Sequence, residues 1–234
     1  MPVPTEDSAP DSLRRHLEML RELRGREARG AAPPRLAEVK AWQAARLART
    51  YADLAASPRY GKATAFFLGD LYGAKDFSAR DEAMLRIYPL MVRTLPRGAV
   101  ETAALAIEVD ALSEVLDRRV TGCLAPGPVG EASYARAYRE AGTRAERLRQ
   151  IELIDEVGRR LDVLVTKPMV YATLKLMRSP ARLAGMGDLQ SFLERGFEAF
   201  RHMAGAKEFL ATVANRETQI LNRLFSGHPS PFSG

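Results

Sequence analysis

The amino-acid sequence predicts an all-α fold, a single multi-helix orthogonal or bundle-like domain of about eight to ten helices. Ala, Leu, Arg and Glu, which are strong helix formers, dominate its 234 residues. β-branched residues never gather into the alternating runs that half-buried strands require. Apolar residues instead recur every three or four positions between breaks rich in proline and glycine. A chain of this length can bury a core that is stable without a disulfide or a metal.

The N-terminal residues 1–34 are predicted to form a polar segment with a short amphipathic helix. Asp11 or Ser12 can cap this helix, and Gly30 with the two prolines that follow ends it. Its apolar residues lie three or four positions apart: Leu13, Leu17, Leu20 and Leu23. We expect this helix to pack weakly or to bind another molecule, and a linker to follow it.

The helical domain is predicted to cover residues 35–226, with a disordered tail at 227–234. Its first helix covers about residues 36–56. Ser57 ends that helix and, with Pro58, starts the next one, because Ser is a good cap and Pro fits the first helical position.

In the middle of the domain, helix-capping residues and prolines predict where the helices begin, bend and end. Ser78 with Asp81 three residues later resembles a capping box, and Pro89 should kink the helix that it starts. A long helix covers about residues 99–120. The loop at 124–130 holds two prolines and two glycines and is the clearest break inside the domain.

In the C-terminal part of the domain, helices are predicted from one strong capping box and from apolar residues spaced for one side of a helix. A short helix covers residues 131–141, and Thr143 with Glu146 forms a second capping box for a longer helix. Asp188 is expected to cap a helix with one apolar face, and Gly205 separates that helix from the last one.

The charge is concentrated in one part of the chain. The net charge is +6, and the segment from Arg118 to Arg182 holds 13 Lys or Arg against 7 Asp or Glu. Such a segment can attract nucleic acid, anionic lipid or an acidic protein. Aromatic residues are not interleaved with the basic ones as in RNA-binding modules, so nucleic acid is possible but not favoured.

The compartment is predicted from features that the sequence lacks. Cys123 is the only cysteine, so an intramolecular disulfide is excluded. The first ten residues lack the apolar core of a signal peptide, and no stretch approaches the roughly 20 apolar residues of a membrane span. We therefore expect a cytoplasmic protein.

One run of residues is more distinctive than the rest. The run FFLGDLYG at 66–73, preceded by Pro-Arg-Tyr at 58–60, resembles an uncharacterised bacterial all-helical family, a domain of unknown function with an FFLxDLYG signature. The similarity extends over about residues 42–225 and includes FLERGF at 192–197. The resemblance implies one bacterial helical domain and assigns no activity, cofactor or site.

Polar residues within apolar stripes are the candidates for a site. Asp70 lies three and four residues from the two phenylalanines before it, and Glu217 falls on the apolar stripe of the last helix. Asp70 is expected to pair with an arginine or to cap the next helix, with a ligand-binding or proton-transfer site as the alternative. Glu217 is expected to pair with an arginine of another helix in preference to a catalytic role. The candidate ligand-binding residues are Phe66, Phe67, Asp70, Tyr72, His202 and Glu217.

Metal and haem are open alternatives that the sequence does not favour. Glu198 and His202 are four residues apart, not the Glu-x-x-His spacing of di-iron bundles, and no second such pair occurs. Other acidic residues on the predicted helices are further candidate metal ligands: Glu108, Asp110, Glu152, Asp155 and Glu156. Only one helix is predicted after His202, whereas a globin needs two after its haem ligand. No cofactor and no catalytic residue is therefore assigned.

Two functions remain open, with a third less favoured. The first is a non-enzymatic helical protein that binds a protein partner, associates with itself or acts as a regulator. The second is a helical protein that binds a ligand or a cofactor, haem or metal, such as an oxidoreductase. An enclosed cavity with converging polar groups would favour the second function, whereas a solid core with Asp70 and Glu217 paired to arginines would favour the first. Nucleic-acid binding through residues 118–182 is the third.

Overall fold

The computed structural model describes residues 8–30, 32–71 and 78–233. Within those residues regular structure is helical and no β-strand occurs, so the all-α fold class is confirmed. Nor does any of the described helices have the length and apolarity needed to cross a membrane. The helices are α1 (Ala9–Ala28), α2 (Leu36–Thr50), α3 (Ala52–Ala56), α4 (Gly61–Phe66), α5 (Ser78–Thr94), α6 (Arg97–Gly122), α7 (Glu131–Ala141), α8 (Arg144–Val165), α9 (Pro168–Leu176), α10 (Arg178–Leu183), α11 (Gly187–Met203) and α12 (Lys207–Phe225).

Helix α1 is longer and better packed than the sequence analysis expected. It begins after Ser8, whose side chain accepts a hydrogen bond from the backbone N–H of Asp11, so neither Asp11 nor Ser12 is the cap. Its leucine stripe packs against apolar residues of α5 and α6 and is fully buried: Leu13, Leu17 and Leu20. The expectation of a weakly packed helix is wrong, because this stripe forms one of the apolar cores.

The strongest cap predicted from the sequence is present at α8. The backbone N–H of Glu146 donates to the Thr143 hydroxyl at 3.2 Å, and the Thr143 N–H donates to the Glu146 carboxylate at 2.9 Å. The bond from the Thr143 N–H and a bond from Arg119 lower the pKa of Glu146 to about 2. By contrast, α11 begins at Gly187, so Asp188 lies in its first turn instead of capping it.

The largest apolar core lies where α4, α11 and α12 meet. Phe66 from α4 packs on α11 over Gly196, at which an added Cβ would come within 2.8 Å of the Phe66 ring. Gly158 of α8 faces the buried Leu210 of α12 in the same way, because an added Cβ would come within 2.9 Å of Leu210 Cδ1 and nearer still to Cδ2. Both glycines allow a close approach of helices that a larger residue would prevent.

The C-terminal residues are not the disordered tail that the sequence predicted. Phe232 packs edge-on against Trp42 at 5.2 Å between ring centroids, and Trp42 stacks on Tyr134 at 4.1 Å. The guanidinium of Arg223 also donates a hydrogen bond to the Ser233 carbonyl. The tail lacks helical periodicity, but one aromatic side chain is enough to fix it on the domain.

Candidate functional site

Asp70 lies in a π-helical turn, Phe67–Leu71, that follows α4 directly. Its two carboxylate oxygens accept hydrogen bonds from Arg195 of α11, from Nη2 at 2.8 Å and from Nε at 3.1 Å. This two-point geometry is the strong form of an arginine–carboxylate pair. The pair fastens the π-helical turn to α11, which accounts for a carboxylate next to the phenylalanine core.

Glu217 is paired as well, but with a different part of the chain. Its Oε1 accepts hydrogen bonds from Arg46 Nη1 of α2 at 2.6 Å and from the Tyr51 hydroxyl at 2.7 Å. Because burial would otherwise disfavour this charge, the arginine and the hydroxyl stabilise it. The carboxylate therefore ties α12 to α2.

Of the remaining candidate residues, the phenylalanines are brought together in the core. Phe67 lies 6.4 Å from Phe66 and 6.3 Å from Phe200 between ring centroids, and all three belong to the same apolar cluster. His202 is exposed, with Nε2 3.0 Å from the Pro58 carbonyl oxygen. Tyr72 lies outside the described residues. Asp70, Glu217 and His202 thus share no partner in these contacts and do not converge.

The acids considered as metal ligands are mostly paired with arginines. Glu108 pairs with Arg149 at 3.0 Å, and Asp155 pairs with Arg159 at 2.6 Å within one helix. Among the described residues, no group of three histidine, cysteine or acidic side chains is arranged to hold a metal ion. The Glu108 pair joins α6 to α8, whereas the Asp155 pair supports a single helix.

Two spaces were considered as ligand sites. A cavity of about 10 Å³ lies beside Glu217 between α8 and α12, and this volume fits at most one water molecule. An open groove of about 590 Å³ runs along α1 and contains Glu82 of α5. Its charged side chains are three glutamates and three arginines: Glu18, Glu22, Glu82, Arg21, Arg24 and Arg29. Because these positive and negative charges balance, the groove has no net charge that would favour an anionic or a cationic ligand.

The most concentrated group of buried charges was not foreseen. Arg24 of α1 binds Asp81 of α5, binds Asp110 of α6 at 2.7 Å, and lies 3.6 Å from Glu114. Burial raises the pKa of Asp81, with Arg24 acting against the rise. The partners are 57 to 90 positions from Arg24 in the sequence, so no local pattern could reveal the cluster.

A second polar group lies between α2, α6, α7 and α8. Asp117 accepts a hydrogen bond from Gln43 Nε2 at 2.7 Å, and burial raises the pKa of Asp117 to about 6 despite the nearby positive charge of Arg147. The buried Arg147 guanidinium lies 4.0 Å from the centre of the Tyr138 ring. Within the described residues its Nε and Nη2 have no hydrogen-bond partner.

The three most exposed of the large apolar residues lie on α9 and α10. Met169 is 81% exposed, Leu176 is 77% exposed and Leu183 is 91% exposed. With the exposed Ala172 and Thr173, these residues define what we call the α9–α10 surface. The opposite side of α9 packs on the core through Val170, Tyr171 and Leu174. Helix α9 is thus largely apolar on both sides, while every one of its residues remains at least partly exposed.

The α9–α10 surface escaped the sequence analysis because α9 has no polar side to define a stripe. The signal that could have found it is compositional. Residues 163–187 contain four Lys or Arg and no Asp or Glu, and the three large exposed side chains are spaced by seven positions.

These features define an all-α domain with ion-paired interior carboxylates and an apolar surface on one pair of helices. The chain belongs to the family described as "Domain of unknown function (DUF8198)", whose family model matches residues 22–231. The expected resemblance to a helical domain of unknown function is confirmed. No curated protein and no solved structure matches the chain.

Proposed function

We propose that this protein is a non-enzymatic binding or regulatory domain that binds a protein partner through the α9–α10 surface. One observation carries the proposal: α9 has the composition of a buried helix, yet the domain covers only one of its sides. A helix that is apolar all round is normally covered all round. The uncovered side is therefore the natural position for another protein.

The size of the exposed apolar residues supports this proposal. Burial of a methionine or leucine side chain is worth about 1.5–3 kcal/mol, so the three most exposed residues offer roughly 5–9 kcal/mol before the cost of association. Such a contribution is substantial for a binding site. Single exposed leucines are common on proteins, but a group on one short pair of helices indicates an interaction site.

The pairing of Asp70 and Glu217 also supports partner binding over ligand binding. Both carboxylates already hold arginines of other elements, Arg195 and Arg46. A ligand at either position would have to replace an existing pair and leave a guanidinium unsatisfied. The cavity beside Glu217 fits at most one water molecule, so a haem would require the core to open.

Nucleic-acid binding through residues 118–182 gains little support from the positions of the basic side chains. Over half of the 13 Lys or Arg in this segment pair with carboxylates, which reduces the positive charge that they present. The paired residues are Arg118, Arg119, Arg136, Arg149, Arg159, Arg160 and Arg178.

We also propose that the protein acts in the bacterial cytoplasm. The single cysteine supports this compartment, and the FFLGDLYG run supports a bacterial origin.

Quantitative affinity purification tests the proposed surface. The wild-type chain is compared with Met169→Glu/Leu176→Glu and with a control, Met19→Glu, in which an exposed methionine of α1 is changed. We expect one protein to be retained by the wild type and the control and lost from the double variant. That protein is then purified and titrated against all three chains. If no protein distinguishes the double variant from the control, the α9–α10 surface is not the binding site.

A further inference from the structure

We propose that the partner presents an acidic amphipathic helix to the α9–α10 surface, an inference that rests on the proposed function. The surface combines an apolar stripe of helical spacing with a rim of positive charge. A partner helix with apolar residues on one side and Asp or Glu beside them complements both features.

The apolar stripe has the spacing of a helix-binding surface. Met169, Ala172, Thr173 and Leu176 stand at positions i, i+3, i+4 and i+7, so they share the outward side of α9. Ala172 and Thr173 are small and lie between the two long side chains. They leave a shallow depression in which an apolar side chain of a second helix can pack.

The charge around the stripe selects an acidic partner. Lys167, Lys175 and Arg182 are exposed on α9, on α10 or at their ends. Arg178 is already bound to Glu194 by two hydrogen bonds of 2.6 Å, and these bonds with one from Gln190 lower the pKa of Glu194 to about 2.

The neighbouring helix α11 extends the rim. The guanidinium of Arg201 lies 4.8 Å from the centre of the Tyr171 ring, and Lys175 Nζ lies 4.3 Å from the same centre. Both cations therefore border the inner edge of α9. Residues 163–187 contain no acid, so the charges that this segment itself presents to a partner are positive.

The same charge argues against a second copy of this chain as the occupant. In a symmetric dimer each surface meets its own copy, so Lys167, Lys175 and Arg182 would face one another. Like charges across an interface oppose association.

An anionic membrane fits less well than a protein helix. Helices that lie on membranes usually insert aromatic side chains together with leucines. The aromatic residue of α9, Tyr171, instead stacks on Phe197 at 5.2 Å between ring centroids, on the side of the core. The few exposed cations would add only weak attraction to lipid.

The test uses two synthetic helical peptides that differ only in charge. Each is stapled, has about 18 residues and carries leucine at i, i+3, i+4 and i+7. One has glutamate on both flanks of the stripe, and its twin has lysine at those positions. Binding to the full chain is measured by fluorescence anisotropy at low and physiological salt. Vesicles of phosphatidylserine and phosphatidylcholine are tested in parallel, and light scattering gives the oligomeric state.

Two charge variants make the test specific. Lys167→Glu/Arg182→Glu reverses two charges of the rim, and Arg21→Glu/Arg29→Glu makes the same change of net charge with exposed residues on α1 and at its C-terminal end. We expect the acidic peptide to bind at least tenfold more tightly than its twin and to lose about tenfold in affinity with the rim variant. The α1 variant should remain within about twofold of the wild type, because its side chains line the groove along α1 and are not part of the α9–α10 surface.

Each other outcome would overturn the inference. Equal binding of the two peptides would show that charge does not select the partner. If neither peptide binds, an acidic helix is ruled out as the occupant. This holds whether the vesicles bind, the chain dimerises through Met169, or nothing binds. These failures are separate from failure of the proposed function. A protein that affinity purification finds and Met169→Glu/Leu176→Glu releases would still establish the surface.

Discussion

Replacing Arg24 with methionine should destabilise the domain far more than its position near the N-terminus suggests. The side chain of Arg24 is 6% exposed and binds Asp81, which is 1% exposed, and Asp110. Methionine keeps much of the side-chain volume but removes the charge and its hydrogen bonds. The substitution therefore leaves carboxylates in the interior with fewer positive partners.

The size of the effect follows from the partners that remain. Breaking a buried ion pair by removing one member costs about 3–5 kcal/mol. Arg80 still lies 3.5 Å from Asp81, and Lys40 still binds Glu114 at 3.0 Å, so compensation is partial. We expect the free energy of unfolding to fall by about 3 kcal/mol, the lower end of that range. For a domain of this size, such a loss lowers the melting temperature by about 6–12 °C.

Urea unfolding at 25 °C, followed by circular dichroism, measures this difference. Arg26→Met is the matched control on the same helix, because Arg26 pairs with Glu22 on the surface, where such pairs contribute about 0–1 kcal/mol. The difference between the two variants should shrink as the pH falls toward about 4, because burial raises the pKa of Asp81 and loss of Arg24 raises it further, so that this carboxyl becomes protonated in that range. Equal destabilisation by the two substitutions would refute the assignment of Arg24 to a buried network.

Three further predictions concern the interior. Burial raises the pKa of Asp117 to about 6. The ionised carboxylate therefore destabilises the folded domain, and this destabilisation is absent below about pH 4 and grows as the pH rises to 6. Asp117→Asn should raise the free energy of unfolding at pH 7 by about 1–2 kcal/mol and flatten its dependence on pH, as urea titrations at pH 4 and 7 would show. Gly158→Ala should lower the melting temperature, because the new methyl group would clash with Leu210, and this effect should outweigh the gain in helix propensity. An unchanged or higher melting temperature would contradict this close packing. Phe232→Ala should cost about 1–3 kcal/mol and increase hydrogen exchange around Trp42, whereas a disordered tail would show neither change.

The elements that the sequence predicted correctly are those set by local interactions. Thr143 and Glu146 are three residues apart, so their capping box depends on no other part of the chain. The helix over 131–141 agrees with the structure at both ends for the same reason, because Gly130 and Gly142 flank it.

The features that the sequence did not reveal depend on contacts between distant residues. Helical phase placed Asp70 and Glu217 beside apolar stripes, but could not show that Arg195 and Arg46 bind them from 125 and 171 positions away. The uncovered side of α9 was missed for a related reason. Periodicity identifies a buried side by contrast with a polar one, and α9 offers almost no contrast.

Photo-crosslinking in living cells tests the central claim most directly. The photoreactive residue p-benzoylphenylalanine replaces Met169 on the α9–α10 surface or, as the control, Met19 on α1, which is 38% exposed. We predict that the probe at position 169 crosslinks to one other protein, that the probe at position 19 does not, and that Lys167→Glu/Arg182→Glu weakens the crosslink. Equal labelling from both positions, or no protein crosslink from position 169, would contradict the proposal that another protein covers α9.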